Sequence, residues 1–149
     1  MAEAFVLDTS AWVALDEGEA GAGVVESLLA EAWLGRAEVH ASFVTLTELE
    51  YIRTRERDAQ QAAELLSWAK AQRVTWHHSD DAWCGAAAKI KAAHKLSFAD
   101  AFVAALAQQL GATLVHKDPE FEALGNVIKL QSLPLKTGPT PTTIPPQNG

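Results

Sequence analysis

Four acidic residues stand where the chain enters or leaves a regular element. Asp8 follows the apolar run Ala4-Phe5-Val6-Leu7, and Glu48 sits in Thr45-Leu46-Thr47-Glu48-Leu49. Asp100 closes Leu96-Ser97-Phe98-Ala99-Asp100, and Asp118 precedes Pro119. Each alone has an ordinary structural role. Asp8 suits the cap of a helix beginning near Ser10, and Asp118 suits an N-cap before a first-turn proline. Thr45 with Glu48, and Ser97 with Asp100, have the spacing of capping boxes. Gathered in one crevice the four would do something else. Converging carboxylates repel, and some stay protonated unless a cation joins them. The ion that suits an all-oxygen set is Mg2+ or Mn2+. No cluster of zinc-type spacing competes, because the five histidines are scattered and Cys84 is the only cysteine. Such a site supports attack of metal-activated water on a phosphodiester, with the leaving oxygen steadied by the same cation.

Convergence depends on the elements between the acids. Residues 4–7 have the form of a strand buried on both faces, followed by helical stretches at 10–16 and 22–35. Residues 39–42 suggest a second strand, 44–55 and 59–72 two more helices, and 74–77 a third strand. A helix beginning at Ser79 or Asp80 runs to about Lys95, and another runs from Ser97 to Leu110, where Gly111 stops it. Residues 112–115 and 127–130 complete five strands. The alternation predicts an α/β domain with a parallel sheet and crossover connections. In such sheets ligands bind beyond the carboxyl ends of the strands, where the strand order reverses. If strands 4–7 and 112–115 are neighbours, Asp8 and Asp118 meet there. Glu48 and Asp100, in the first turns of their helices, would open onto the same edge. Glu50 competes with Glu48, but the two point about 200° apart on a helix, and the helical stripe does not choose between them.

A chain of 149 residues, 48% hydrophobic and 21% charged, is long enough to bury a core and is globular in composition. One domain over residues 1–133 is expected, then a Pro/Thr-rich flexible tail over 134–149; four of the six prolines fall in residues 137–149. The start, MAEAFVLDTSAW, lacks the basic stretch and apolar core of a signal peptide, and no apolar run reaches the roughly 18 residues of a membrane helix. With one cysteine, the expectation is a reducing, cytoplasmic setting without a membrane. The net charge of −7 speaks against a broad phosphate-binding surface unless the acids are concentrated and the bases grouped elsewhere. Arg53, Arg55 and Arg57, and Lys89, Lys91, His94 and Lys95, are such groups, either solvated or set to hold RNA phosphates. The five tryptophans lie in or beside apolar stretches, which favours core or interface packing; exposure at Trp33 or Trp68 would mark a partner groove.

The segments carrying the four acids, in this order and spacing, resemble the PIN-domain ribonucleases over roughly residues 3–130. Within that family they are most similar to the VapC-type toxins of toxin–antitoxin pairs. The resemblance implies a five-stranded parallel sheet flanked by helices, and a Mg2+- or Mn2+-dependent endoribonuclease site built from Asp8, Glu48, Asp100 and Asp118. It implies Asp8, Asp100 and Asp118 as metal ligands, with Asp8 and Asp100 foremost, and Glu48 rather than Glu50 in the cluster. Ser10 matches a small hydroxyl residue that touches phosphate or water at the metal. It further implies an RNA substrate, a VapB-like antitoxin whose C-terminal segment covers the acidic site, and a homodimer. His116 departs from the pattern, which has Thr or Ser two residues before the last aspartate. It is either a phosphate contact or a strand-end packing residue, and the second is expected. A phosphatase using Asp8 as nucleophile is disfavoured, since Ser10 occupies the place of the second aspartate it needs. The alternative is a catalytically inert PIN-like module that binds RNA or protein.

Overall fold

The computed structural model describes residues 2–135; most of the segment expected as a tail, residues 136–149, lies outside the described residues. The chain order is β1 (Glu3–Leu7), α1 (Thr9–Glu17), α2 (Ala22–Trp33), β2 (Ala37–Ser42), α3 (Phe43–Glu56), α4 (Ala59–Ala71), β3 (Val74–His77), α5 (Asp81–Ala93), α6 (Phe98–Leu110), β4 (Thr113–His116), a 3-10 turn (Pro119–Leu124) and β5 (Lys129–Ser132). All strand pairs are parallel, in the order β3-β2-β1-β4-β5. From β1 the chain builds outward to β2 and β3, then returns to the other side of β1 as β4. The order therefore reverses between β1 and β4, which pair as Phe5–Thr113, Val6–Leu114 and Leu7–Val115.

Helices cover both faces, so the central strands are apolar throughout. Val6 and Leu114 face one layer, where α5, α6 and the 3-10 turn pack. Phe5, Leu7, Val39 and Val115 face the other, against α1, α2, α3 and α4. Helix α6 is the buried one, with every side chain from Asp100 to Ala107 inside. Its alanines let the helix lie close to the sheet, while Phe102, Val103 and Leu106 fill the layer. Each such large side chain contributes about 1.5–3 kcal/mol by leaving water. Anchored this firmly, the first turn of α6 gives Asp100 a fixed position.

Most boundaries shift by one or two residues from expectation, and two of the differences have a clear physical cause. Ser42, not Thr45, caps α3, because its hydroxyl accepts from the Val44 N–H at 3.2 Å and the helix begins at Phe43, three residues before a Thr45 cap would start it. The last strand is Lys129–Ser132 rather than 127–130. Val127 and Ile128 instead hydrogen-bond back to the Leu124 carbonyl, and the register with β4 starts at Thr113–Lys129. No helix among the described residues is long and apolar enough to cross a membrane.

Candidate active site

Asp8 is the residue at which β1 stops. Its N–H still donates to the Val115 carbonyl of β4 at 3.0 Å, while its side chain turns back to cap α1. Oδ2 accepts from the Ser10 N–H at 3.0 Å and from the Ser10 hydroxyl. The Ser10 oxygen in turn accepts the Lys117 N–H at 2.9 Å, which ties the end of β1 to the end of β4. Asp8 is thus the cap it resembled in sequence, and one of its oxygens is left over. Oδ1 is buried and has no hydrogen-bond partner among the described residues.

Asp100 is the third residue of α6, with Ser97 capping the helix by accepting the Asp100 N–H at 3.1 Å. Asp118 caps the 3-10 turn through the Glu120 N–H at 3.0 Å, with Pro119 next as its sequence suggested. Carboxylate oxygens of Asp100, Asp118 and Glu120 lie within 4.8 Å of one another. Glu48 approaches from α3, in its second turn rather than its first. It is fixed by the Thr9 hydroxyl, which donates to Oε1 at 2.6 Å. Thr9 Oγ1 also lies 2.9 Å from Thr45 Oγ1. Since the single Thr9 proton goes to Glu48, Thr45 must donate to Thr9, and a buried chain runs Thr45 to Thr9 to Glu48. Thr45 therefore supports Glu48 from inside the helix instead of capping it. Glu50 is exposed and points elsewhere.

The four acids share one open pocket of about 650 Å³ at the carboxyl ends of β1 and β4, and Ser10 lines it with them. Glu19 and Glu120 add two further carboxylates, against one lysine, Lys117. The Lys117 ammonium is held at the wall by Glu19 Oε1 at 3.2 Å and the Ala20 carbonyl at 3.0 Å. That turn requires Gly21, whose φ is +93° and whose Cβ, if present, would come within 2.9 Å of Leu133 Cβ.

This electrostatic arrangement pushes protons onto the site. Burial, opposed by the Ser10 hydrogen bonds and reinforced by the charges of Glu48 and Asp118, raises Asp8 to about 6. Burial, the Asp8 charge and a hydrogen bond with Asp118 raise Asp100 to about 8. The donors fit a hard divalent cation: all are carboxylate oxygens, one is orphaned, and at least one holds a proton that a cation would displace.

Sequence reasoning missed Glu120, Thr9, Glu19 and Lys117 as members of the site. Glu120 had one available signal, its place two residues after Asp118 across a proline turn. His116 is fully buried and does not line the pocket. Its Nδ1 accepts the Asp118 N–H at 3.1 Å, Nε2 lies 3.1 Å from Glu122 Oε2, and the ring packs on Phe121. Burial lowers its pKa, against the pull of the Glu122 and Asp118 charges. Among the basic residues, Arg53 is taken up by Asp16 and Glu17, and Arg55 lies over Tyr51.

A five-stranded parallel sheet with acids gathered at its reversal point defines the class, and the sequence agrees: the chain belongs to the PIN domain family, which it matches over residues 5–127. No curated protein sequence matches it. Among solved structures it is similar to VapBC2 from Rickettsia felis bound to a promoter DNA fragment, at 18% identity and TM-score 0.71, covering 88% of this chain and 99% of that one. It is also similar to DNA-bound VapBC from Salmonella typhimurium, at 19% identity and TM-score 0.69, covering 89% and 98%. A third is Mycobacterium tuberculosis VapC20, described as a toxin cleaving the sarcin–ricin loop, at 24% identity and TM-score 0.65, covering 81% and 95%. At these identities the likeness is one of fold.

Proposed function

We propose that the chain is a divalent-metal-dependent endoribonuclease acting as the toxin of a toxin–antitoxin pair. The observation that carries this reading is the convergence of Asp8, Glu48, Asp100 and Asp118, drawn from four separate parts of the chain, into one pocket with an orphaned Asp8 oxygen. Asp8, Asp100 and Asp118 would hold Mg2+ or Mn2+, with Glu120 close enough to Asp100 and Asp118 to join them. Bound there, the cation supplies an activated water and charge stabilisation for the leaving oxygen. Glu48, held by Thr9, is placed to orient that water or take its proton. Ser10 keeps Asp8 in position and lines the pocket that would receive the RNA backbone.

The substrate is RNA, in line with the sarcin–ricin loop cleaved by the tuberculosis relative, and the setting is cytoplasmic, in keeping with the single cysteine. Two relatives are VapBC pairs, which supports a VapB-like antitoxin as partner. An acidic cleft favours a basic segment of such a partner. Trp33 is 53% exposed, and Trp68 is exposed beside a groove with Leu15 and Leu65, surface that suits a docked chain. A homodimer is supported by the α5–α6 face, where Phe98, 68% exposed, borders an apolar groove with Ala88, Ala92 and Phe102.

Purified protein free of antitoxin should be incubated with structured RNAs, with and without Mg2+ or Mn2+, beside Asp8→Asn. Discrete metal-dependent cuts lost in the variant are expected. Intact RNA across a broad panel, under conditions where the protein is folded, would instead favour an inert binding module.

A further inference from the structure

A second ligand-type cluster lies away from the carboxylates, between β2 and β3. In this parallel pair His40 is opposite Thr75 and Ser42 is opposite His77, so the two histidines are diagonal neighbours on one face of the sheet. His40 Nδ1 and His77 Nε2 are 2.9 Å apart. Both rings are half-buried, and the Trp83 ring closes the site on the His77 side. One proton at most fits between the two nitrogens, so a lone pair is always directed into the gap. Glu38 Oε1 lies 3.4 Å from His40 Nε2. A carboxylate there favours the proton on Nε2 and frees Nδ1, the arrangement that orients metal-ligating histidines. Burial and the neighbouring His40 imidazole lower the His77 pKa, against the opposing charge of Asp80, which keeps the second ring neutral as a ligand must be.

We propose that His40 and His77 form a site for a divalent transition-metal ion of the imidazole-preferring class, Cu2+ or Ni2+ in tetragonal coordination. The 2.9 Å between the two nitrogens is a hydrogen-bonded separation, with one proton shared where the lone pairs face each other. A cation would displace that proton as the rings turn toward it, and Cu2+ heads the affinity order of divalent ions at imidazole ligands, with water completing its plane. Mg2+, which prefers oxygen, does not compete here, and two strands of the sheet separate this site from the β1–β4 crevice. The inference does not rest on the nuclease reading.

The test uses the full chain without an affinity tag, in excess Mg2+ so that the carboxylate pocket is masked. One equivalent of Cu2+ is added and followed by calorimetry and electron paramagnetic resonance. One tight site with hyperfine structure from two imidazole nitrogens is expected. His40→Ala and His77→Ala should each remove one nitrogen and weaken binding by about 10-fold or more, and Glu38→Gln should weaken it by about 10-fold with both nitrogens retained. His77→Gln, which keeps a polar side chain at the strand end, serves if the alanine variant loses its circular dichroism. An all-oxygen spectrum, or an unchanged two-nitrogen spectrum in the double variant, would overturn the site and leave the pair as a hydrogen-bonded link between strands.

Discussion

Thr9 donates its hydroxyl proton to Glu48 Oε1 at 2.6 Å, joining the first residue of α1 to the second turn of α3. Glu48 is thereby held as an acceptor and turned toward Asp8. Thr45, buried behind Thr9, completes the chain. Thr9→Val preserves shape and removes the donor, so RNA cleavage should fall by about 10-fold or more, as for other groups that orient a metal-site ligand. Thr9→Ser should restore most of it. A loss that serine does not rescue, with stability unchanged, would indicate that the bond does not position Glu48.

Glu48 and Glu50 give a direct contrast. Glu48→Gln should lower the cleavage rate by about 100-fold if the carboxylate handles a proton in the reaction. Glu50→Gln, on the exposed side of α3, should leave it within about two-fold. Single-turnover rates at saturating Mn2+ compare the two.

Asp8 and Asp100 keep their protons to higher pH in the metal-free fold than in the unfolded chain. Their folded values of about 6 and about 8 both exceed the ordinary aspartate value of 3.8, so the native state binds more protons. Metal-free stability should therefore be greatest below about pH 4 as far as these groups contribute, and should decline as pH rises through 6 and then 8. Asp100→Asn removes the larger part of this effect and should raise the metal-free Tm at pH 8.5 by at least about 3 °C. Added Mn2+ should stabilise the wild type most at that pH. Thermal scans across pH, with and without metal, measure both.

His116 acts on Asp118 from behind. With its Nδ1 accepting the Asp118 N–H, it fixes the backbone from which that carboxylate projects. His116→Ala leaves this N–H without a partner and opens a void beside Phe121, and should cost about 1–3 kcal/mol in urea unfolding. Cleavage should fall less than in Asp118→Asn.

Much of this was legible before the fold was known, because two of the four acids, Asp8 and Asp118, are helix caps, Asp100 follows its cap Ser97 by three residues, and caps are written locally. Asp8 ends an apolar run, Ser97 announces the turn that carries Asp100, and Asp118 precedes its proline. Local signals also explain the one wrong capping box: Thr45 and Glu48 have the right spacing, but Ser42 starts the helix earlier and frees Thr45 for Thr9. What stayed hidden depends on contacts between distant segments. Glu120 joins Asp100 only because the 3-10 turn folds over the end of β4, and Lys117 finds Glu19 across 98 residues. The His40–His77 pair needs the β2–β3 register, which no spacing in the sequence discloses.

The most direct measurement is Mn2+ binding by calorimetry at pH 7 in buffers of different ionisation enthalpy, for wild type, Asp8→Asn and Asp100→Asn. With Asp100 raised to about 8, the free site carries close to one proton there, which a cation must displace. Wild type should bind Mn2+ with release of about one proton, Asp100→Asn should lose the proton release and most of the affinity, and Asp8→Asn should bind at least about 10-fold more weakly. Absent binding, or equal binding in all three proteins, would contradict a carboxylate metal centre at the β1–β4 crevice.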